Sequence, residues 1–472
     1  MKKTVRNILI MVLVLAVLGG GVAALLLLPK DGGGDASSSS SQPESSARET
    51  VYITQIPESD MQSITVTNSQ NTFTLVPSGQ DYTIQGYEDS VVNALTAANS
   101  VKALLSMQSA RELGKQADLE SFGLAGDGAV QVEIVTTDGK RQVVLGKAAA
   151  ETAGNYVLSD GQVYICPNVP ENLYGSMFRY FNYSLYSIDS NVNEDNPNGY
   201  DILYHLNLSG ENFPEPIQVV YDTSFMSMYV IREPILAESG TTALQAIRDA
   251  LLAPTASEVA AAKVSQEQLA DYGLDKPAAM AEFDLNNNQH TLRVSKAHSG
   301  YRYLMMDDRD VIYRVTDEQI APWADAKLSQ LRMSYIWLAN IMEVQQLTIT
   351  ENGTPAADFH ITRTLNEEKS TEDSPTYDLA VTDAAGQGVD YAAYRDFFSE
   401  MLSIAVLNVD RPEYGGTPAY KVEYRFFEDE PQTVEFYPVG ADRYAAVLNG
   451  GFSGQVRKSE TDAAFARLEA VR

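Results

Sequence analysis

The stretch Leu119-Glu-Ser-Phe-Gly-Leu124 starts a pattern that returns as Leu269-Ala-Asp-Tyr-Gly-Leu274, 150 residues further along the chain (119 to 269). In both copies an apolar alternation, a polar turn and a second alternation ending in lysine follow. The spacing from Gly123 to Lys147 is 24 residues, and the spacing from Gly273 to Lys296 is 23. Such agreement indicates one structural unit used more than once.

Each copy lies within a longer order of predicted elements. Short β-branched alternations around polar turns predict a strand meander at residues 64–84, and apolar residues at helical spacing predict a helix at residues 91–105. In the second copy, residues 226–231 predict a strand, and residues 258–270 predict a second helix. The order is strands, a helix, the glycine corner, then three or four more strands.

A third, more divergent copy begins near Glu343, where Tyr414-Gly415 replaces the Phe-Gly corner. The sequence therefore predicts an α+β protein with an elongated array of about three related, mainly antiparallel β repeats, each with one or two helices. The predicted bounds are residues 51–190, 191–330 and 331–472 for repeats 1, 2 and 3. A length of 472 residues fits three domains of ordinary size. Strand order within each repeat stays open, because the meander and the later strands can pair in more than one way.

Segments rich in aromatic residues join the repeats. Arg179, followed by Leu185 and Ile188, ends repeat 1, and Arg332, followed by Leu338 and Ile341, ends repeat 2. We expect these aromatic segments to pack between neighbouring repeats rather than to bind a ligand.

The composition excludes some classes of function. The net charge is −29, from 34 Lys and Arg against 63 Asp and Glu. Such a surface repels phosphate backbones and anionic headgroups, so we expect no nucleic-acid partner. The single cysteine, Cys166, precludes an intramolecular disulfide, and we expect it to be a small buried apolar residue.

The N-terminal residues predict a membrane anchor. Residues 8–28 form 21 consecutive uncharged residues behind Lys2, Lys3 and Arg6. This length suits a helix that crosses the bilayer, and the cationic flank places the N-terminus in the cytoplasm and the bulk of the chain outside. A cleaved signal peptide is the alternative, although its apolar region is usually shorter. The predicted organisation is a flank and transmembrane helix at 1–29 and a flexible Gly/Ser linker at 30–50.

No catalytic, cofactor-binding or metal-binding residue is predicted. The four histidines form no metal-ligand spacing, and the nucleophile-elbow, phosphate-loop and dinucleotide motifs are missing from the sequence. Asp307, Asp308 and Asp310 are interpreted as a solvated hairpin turn, and the equivalent lysines Lys147 and Lys296 as surface cations. We therefore expect no cofactor.

The glycine corner, the strands after it and the closing Val-Tyr together resemble the DUF4340 family of bacterial envelope proteins. The resemblance covers nearly all of the chain after the linker, although Ser295 replaces Gly146 in the second copy and Gly416 replaces Leu in the third. Some members occur with ABC-transporter components, so the resemblance implies an accessory role outside the cytoplasm. It supplies no catalytic residues.

Three functions follow as expectations. The first is a membrane-anchored extracytoplasmic interaction or scaffold protein, an accessory to an ABC-type transport or envelope assembly whose subunits are its partners. The second is a cell-wall or surface-polymer binding protein, in which repeats multiply weak contacts. The third is an extracytoplasmic enzyme, which the missing motifs disfavour.

Overall fold

The computed structural model describes residues 51–89, 91–150, 152–189, 192, 199–371 and 376–471. The chain divides into two units, Met1–Val51 and Tyr52–Arg472. The predicted anchor and linker lie outside the described residues. Within the described part, no helix is both long and apolar enough to cross a membrane.

The elements of the first large sheet occur in the predicted order of meander, helix, glycine corner and further strands. Its region contains β1 (Val51–Tyr52), β2 (Met61–Thr67), β3 (Thr72–Ser78), β4 (Asp81–Ile84), α1 (Ala94–Leu105), β5 (Gln108–Ser109), β6 (Arg111–Gly114), β7 (Val130–Thr136), β8 (Gly139–Ala148), β9 (Asn155–Ser159) and β10 (Gln162–Cys166). The sheet order is β4-β3-β2-β7-β8-β9-β10-β6.

The second sheet contains one strand more. Its elements are β11 (Leu203–Ser209), β12 (Ile217–Tyr221), β13 (Tyr229–Glu233), β14 (Ala237–Glu238), α2 (Thr241–Leu252), β15 (Glu258–Ala262), β16 (Ala279–Leu285), β17 (Asn288–Val294), β18 (Tyr301–Met306), β19 (Val311–Thr316), α3 (Asp317–Ala324) and α4 (Leu328–Leu331). The sheet order is β14-β13-β12-β11-β16-β17-β18-β19-β15.

The third sheet has the same plan. Its elements are β20 (Val344–Glu351), β21 (Thr354–Leu365), β22 (Tyr377–Thr382), β23 (Gly388–Val389), α5 (Tyr391–Leu402), β24 (Val406–Asn408), β25 (Tyr420–Phe426), β26 (Gln432–Val439), β27 (Arg443–Leu448), β28 (Gly451–Arg457) and α6 (Lys458–Ala466). The sheet order is β23-β22-β21-β20-β25-β26-β27-β28-β24.

One topological rule describes all three sheets. The opening meander runs outward to one edge, the helix follows, and the strand after the helix lies at the opposite edge. The remaining strands then fill the sheet from its middle toward that far edge, and every strand pairing described in the three sheets is antiparallel. The predicted α+β, mainly antiparallel class is confirmed.

The glycine corner is a short helical turn closed by a left-handed residue. Gly123 has φ 66° and Gly273 has φ 67°, each ending a 3-10 helix. In both corners the leucine after the glycine donates its N–H to the leucine that starts the motif, at 3.0 Å. A residue with a Cβ is strained at such a φ, which explains the glycine. The corner then packs on β8, where a Cβ on Gly146 would lie 2.4 Å from the Phe122 carbonyl oxygen.

Two local predictions for the second sheet are wrong. Residues 258–262 form β15 instead of a helix, because Val259 pairs with Tyr313 at the sheet edge and this long-range pairing overrides the helical preference of alanine. Only residues 266–272 are helical, as a 3-10 turn with a capping box at Ser265 and Gln268. The predicted strand at 226–231 begins later, at Tyr229, and Met226 and Met228 lie in the preceding loop.

The aromatic junction segments form isolated β-bridges to neighbouring sheets. We call residues 180–188 connector 1 and residues 331–338 connector 2. In connector 1, Tyr180 and Asn182 form backbone hydrogen bonds with the segment before α1, namely Asn93 N–H to Tyr180 O at 2.7 Å and Asn182 N–H to Val91 O at 2.7 Å. Further along, Leu185 N–H donates to Pro254 O, after α2 of the next sheet.

Connector 2 repeats this arrangement between the second and third sheets. Gly240 N–H donates to Leu331 O and Met333 N–H to Glu238 O, and Val406 N–H then donates to Ser334 O. In the first sheet, the segment after α1 receives the same kind of partner from residues 53–56, since Ile53 N–H donates to Met107 O and Ile56 N–H to Leu105 O. The connectors thus pack between repeats, as predicted from their composition.

Candidate functional site

The described residues hold no group of three His, Cys, Asp or Glu side chains arranged to bind a metal ion. Three of the histidines have local partners. His290 Nδ1 lies 2.8 Å from Asp307 Oδ2, His298 stacks on Tyr301 with 5.5 Å between ring centroids, and His360 lies 3.4 Å from Asp358. These contacts orient single side chains on the surface and bring no ligand set together.

The acidic residues at 307–310 form the hairpin turn that the sequence predicts. Asp307 and Asp308 have φ 48° and 56°, and the equivalent turn in the first sheet has Asp160 at φ 50°. The carboxylates are engaged on the surface: Asp307 accepts the Thr291 N–H at 2.8 Å, and Asp308 pairs with Arg293. The arrangement fixes the turn and leaves no converging set of oxygens for a cation.

The remaining sequence candidates occupy structural positions. Lys296 pairs with Glu211 at 2.7 Å and its side chain is 71% exposed, as expected of a surface cation. The Cys166 side chain is completely buried, and burial raises the pKa of its thiol to about 12, so it remains protonated and unreactive at neutral pH.

A polar network in the third sheet is the nearest approach to a catalytic cluster. Lys458 Nζ lies 2.6 Å from Tyr444 Oη and 2.9 Å from Asp462 Oδ2, while Tyr444 and Tyr420 both donate to Asp462 Oδ1. Beside it is a cavity of about 200 Å³. Burial raises the pKa of Asp462, but the hydrogen bonds from Lys458 and Tyr444 outweigh burial, so the net pKa lies below its ordinary value. A carboxylate held ionised by its neighbours is a tie between α6 and the sheet, and is poorly suited to act as a general base at neutral pH.

An exposed methionine pair marks a different kind of surface. Met226 is 58% exposed and Met228 is 49% exposed, in the loop between β12 and β13. The Met228 sulfur lies 3.9 Å from the Tyr221 hydroxyl. We call these two methionines, with Tyr221, the methionine surface. Methionine side chains adapt to irregular partners, and apolar groups held outward by a folded loop are typical of contact surfaces.

The loop that carries the methionine surface is anchored at both ends of its turn. Asp222 N–H donates to Met228 O at 2.9 Å, and Met228 N–H donates to Phe225 O at 2.8 Å. The Phe225 ring is buried in the same apolar cluster as Trp337 of connector 2 and the core of the third sheet. Burying such a ring contributes about 1.5–3 kcal/mol, enough to keep the loop in one arrangement. The methionines face outward because Phe225 faces inward.

A buried carboxylate completes the anchor. Glu238 is fully buried; its Oε1 accepts Ser227 N–H at 3.2 Å and Ser227 Oγ at 3.3 Å, and its Oε2 accepts Leu338 N–H at 2.7 Å. Burial raises the pKa of Glu238, and the hydrogen bonds from Ser227 and Leu338 oppose that rise. The one side chain therefore ties the methionine loop to connector 2.

Sequence reasoning missed both features. The sequence predicts a strand at the methionines, and a glutamate at a strand end ordinarily indicates an exposed position. The three apolar residues directly before Glu238, Ile235 to Ala237, are the signal in the sequence that this carboxylate is enclosed.

Comparison with known proteins supports the resemblance. Residues 230–424 match the model of a family described as a domain of unknown function, DUF4340. No curated protein and no solved structure matched the chain. The matched segment runs from β13 to β25, so it includes Glu238 and connector 2 and crosses from the second sheet into the third. This match relates the central segment of the chain to the DUF4340 domain family and supports the resemblance seen in the sequence.

Proposed function

We propose that this chain is a membrane-anchored extracytoplasmic interaction protein, an accessory to an ABC-type transport or envelope assembly. The observation that carries the proposal is the methionine surface, an outward-facing apolar site on a loop fixed by Phe225 and Glu238. Such a site suits contact with a protein partner, because methionine packs well against surfaces of varied shape.

The remaining features are consistent with this role. The proposed transmembrane helix and linker precede the three sheets in the chain, which is the order expected of an anchored extracytoplasmic protein. We propose no enzymatic activity, because the cluster of Lys458, Tyr444 and Asp462 is held by hydrogen bonds among its own members. The DUF4340 match is compatible with an accessory role and names no activity.

The test is purification of the full-length protein from its own membranes in mild detergent. We expect membrane-protein subunits in near-stoichiometric amounts with the wild type. The double variant Met226→Lys, Met228→Lys should reduce their recovery at least about fivefold, since burying two ammonium groups in an apolar contact is costly. The matched control is Leu95→Lys, which charges an exposed apolar position on α1, where the exposed fraction is 71%.

Two results would contradict the proposal. One is a wild-type protein that purifies alone under conditions that keep membrane complexes intact. The other is equal recovery of the partner with the methionine variant and with Leu95→Lys, which would place the contact elsewhere.

A second function is favoured by one specific observation, a cluster of partly buried tyrosine rings centred on β18. The rings of Tyr301 and Tyr303 lie 5.5 Å apart, Tyr272 packs against Tyr303 at 5.1 Å, and His298 joins both tyrosines. Sugar rings stack on tyrosine side chains, so this cluster suits a wall or surface polysaccharide. Sedimentation with purified wall material should be lost with Tyr301→Ala, Tyr303→Ala and kept with the methionine variant; the opposite result excludes this cluster as a polymer site.

A further inference from the structure

The two connectors fill the same backbone position on their respective sheets. At each place one connector residue faces the residue just before the helix N-cap: Phe181 opposite Val92 in the first sheet, and Arg332 opposite Ser239 in the second. The flanking hydrogen bonds use the N–H of the N-cap residue and the carbonyl two residues before it. The covered residues Val92 and Ser239 are 2% and 1% exposed.

The third sheet has the same edge, and nothing in the described chain covers it. Asp390 is the N-cap residue of α5, and Val389 occupies the position of Val92 and Ser239. Val389 pairs with Val381 on its inner side, which leaves the N–H of Asp390 and the carbonyl of Gly388 directed outward. Within the described part of the chain β23 pairs only with β22, and no hydrogen bond of a turn, loop or cap involves either group. Gly388 and Asp390 are exposed and Val389 is only half-buried.

We propose that this edge, Gly388 to Asp390, is a docking site for an extended segment of another envelope protein. The segment would pair with the edge by β-strand addition, in the position that connectors 1 and 2 occupy on the first two sheets. The inference rests on the proposed function for the nature of its partner and names the place where that partner attaches. Exposed edges with free N–H and C=O groups are the usual sites of such pairing.

The surroundings define the chemistry of the occupant. Residues facing each other in this kind of bridge have close side chains, so the occupant places an apolar residue against Val389 and Tyr391, both of which are partly buried on the third core. Asp378 lies on β22, Asp383 in the turn that follows β22, and Asp390 at the start of α5. A basic residue beside the apolar one therefore suits the site. The chain's own connectors have this composition, with aromatic or aliphatic residues next to Arg179 and Arg332.

A proline substitution isolates the backbone contact. Asp390 has φ −61°, which proline adopts without strain, and Val389 is extended, as the residue before a proline must be. Asp390→Pro removes the outward N–H and the capping carboxylate that accepts Ala393 N–H. Asp390→Ala removes only the carboxylate and is therefore the matched control.

The probe is a fluorescent synthetic peptide with the sequence of residues 179–185, Arg-Tyr-Phe-Asn-Tyr-Ser-Leu, added to the full-length protein in mild detergent. We expect a rise in anisotropy with the wild type and none with a scrambled peptide. Affinity should be at least about tenfold lower for Asp390→Pro than for Asp390→Ala, because only the former lacks the donor. Tryptophan fluorescence on urea unfolding checks that both variants are folded.

Several outcomes would overturn the inference. These are no binding to the wild type, equal binding to the two variants, or self-association of the protein that Asp390→Pro abolishes, which would make a second copy the occupant. The proposed function is tested separately. If a membrane partner co-purifies equally with both variants, the proposed function stands and the docking site at this edge is refuted. If the peptide binds in a way that depends on the Asp390 N–H but no partner co-purifies, the docking site stands and the proposed function is refuted.

Discussion

Replacing Glu238 by alanine tests whether one buried side chain holds the methionine loop to connector 2. The substitution removes the acceptor for Ser227 N–H, Ser227 Oγ and Leu338 N–H. The hydroxyl keeps its bond to Tyr229 O, but the two backbone N–H groups lose their partner in a buried place. A buried donor without a partner costs about 1–3 kcal/mol, so we expect Glu238→Ala to lower the free energy of unfolding by about 2–5 kcal/mol.

Two further variants should lower the free energy of unfolding by smaller amounts. Glu238→Gln keeps the shape but replaces one acceptor oxygen by an amide NH2 group, a donor that faces a backbone N–H donor, and should cost about 1–3 kcal/mol. Ser227→Ala removes the hydroxyl with its contacts to Glu238 Oε1 and Tyr229 O but keeps the Ser227 N–H, and should cost about 0.5–1.5 kcal/mol. Urea unfolding followed by tryptophan fluorescence suits the measurement, because the chain has two tryptophans and Trp337 lies beside Leu338, 3% exposed. A loss below about 1 kcal/mol for Glu238→Ala would refute this account of the anchor.

The carboxyl group of Glu238 should also make the free energy of unfolding depend on pH. Burial raises the pKa of Glu238 in the folded protein above its ordinary value of 4.5. The folded chain therefore holds this proton more tightly than the unfolded chain, and the resulting stability is complete below the unfolded pKa and is lost as pH rises through the folded pKa. The difference in free energy of unfolding between wild type and Glu238→Gln should shrink as pH rises above about 4.5. A difference that stays constant or grows with pH contradicts the raised pKa.

Three other substitutions test the packing and the ion pairs. Gly146→Ala places a methyl group against the corner carbonyl and should destabilise by about 1–3 kcal/mol in urea unfolding, whereas Gly128→Ala, with open space around it, should change little. Arg302→Met breaks a pair whose arginine is 6% exposed and should cost about 1–3 kcal/mol, against about 1 kcal/mol or less for the exposed Arg232→Met. Asp462→Asn should lower the free energy of unfolding by about 1 kcal/mol or less, because solvent screens this partly exposed group. Since the pKa of Asp462 is lowered in the folded protein, this loss should be complete above the ordinary carboxyl pKa and should disappear as pH falls.

The sequence predicts the repeated plan better than the arrangement inside it. Apolar alternation and the Gly123 and Gly273 corners are local signals, and they correctly indicate mainly antiparallel sheets with interposed helices. The edge position of β15 is different, because its partner β19 lies about 50 residues later and no local pattern specifies the pairing. The alanines of β15 favour a helix in isolation, so the local preference and the tertiary pairing conflict.

The candidate sites depend even more on distant contacts. Whether Met226 points into the core or into solvent is decided by Phe225, which packs on the third sheet, and by Glu238, which reaches connector 2. These partners are separated in sequence by 10 to 100 residues or more, as with Glu238 and Leu338. Hydrophobic pattern alone therefore favoured a strand at this position, and the exposed surface became visible only in the folded chain.

The unlike residues at the bridges explain how a repeated geometry exists without a repeated motif. Phe181 faces Val92, while Arg332 faces Ser239, yet each pair lies between two backbone hydrogen bonds at equivalent positions of its sheet. Backbone N–H and C=O groups are present in every residue except proline, which lacks the donor, so the bridge places almost no demand on side-chain identity. Side chains then decide only what packs around it. The Gly388–Asp390 edge meets the same backbone requirement, and a partner needs only an extended segment with a suitable apolar residue. This is why the test of that edge changes a backbone donor, through Asp390→Pro, instead of a side chain.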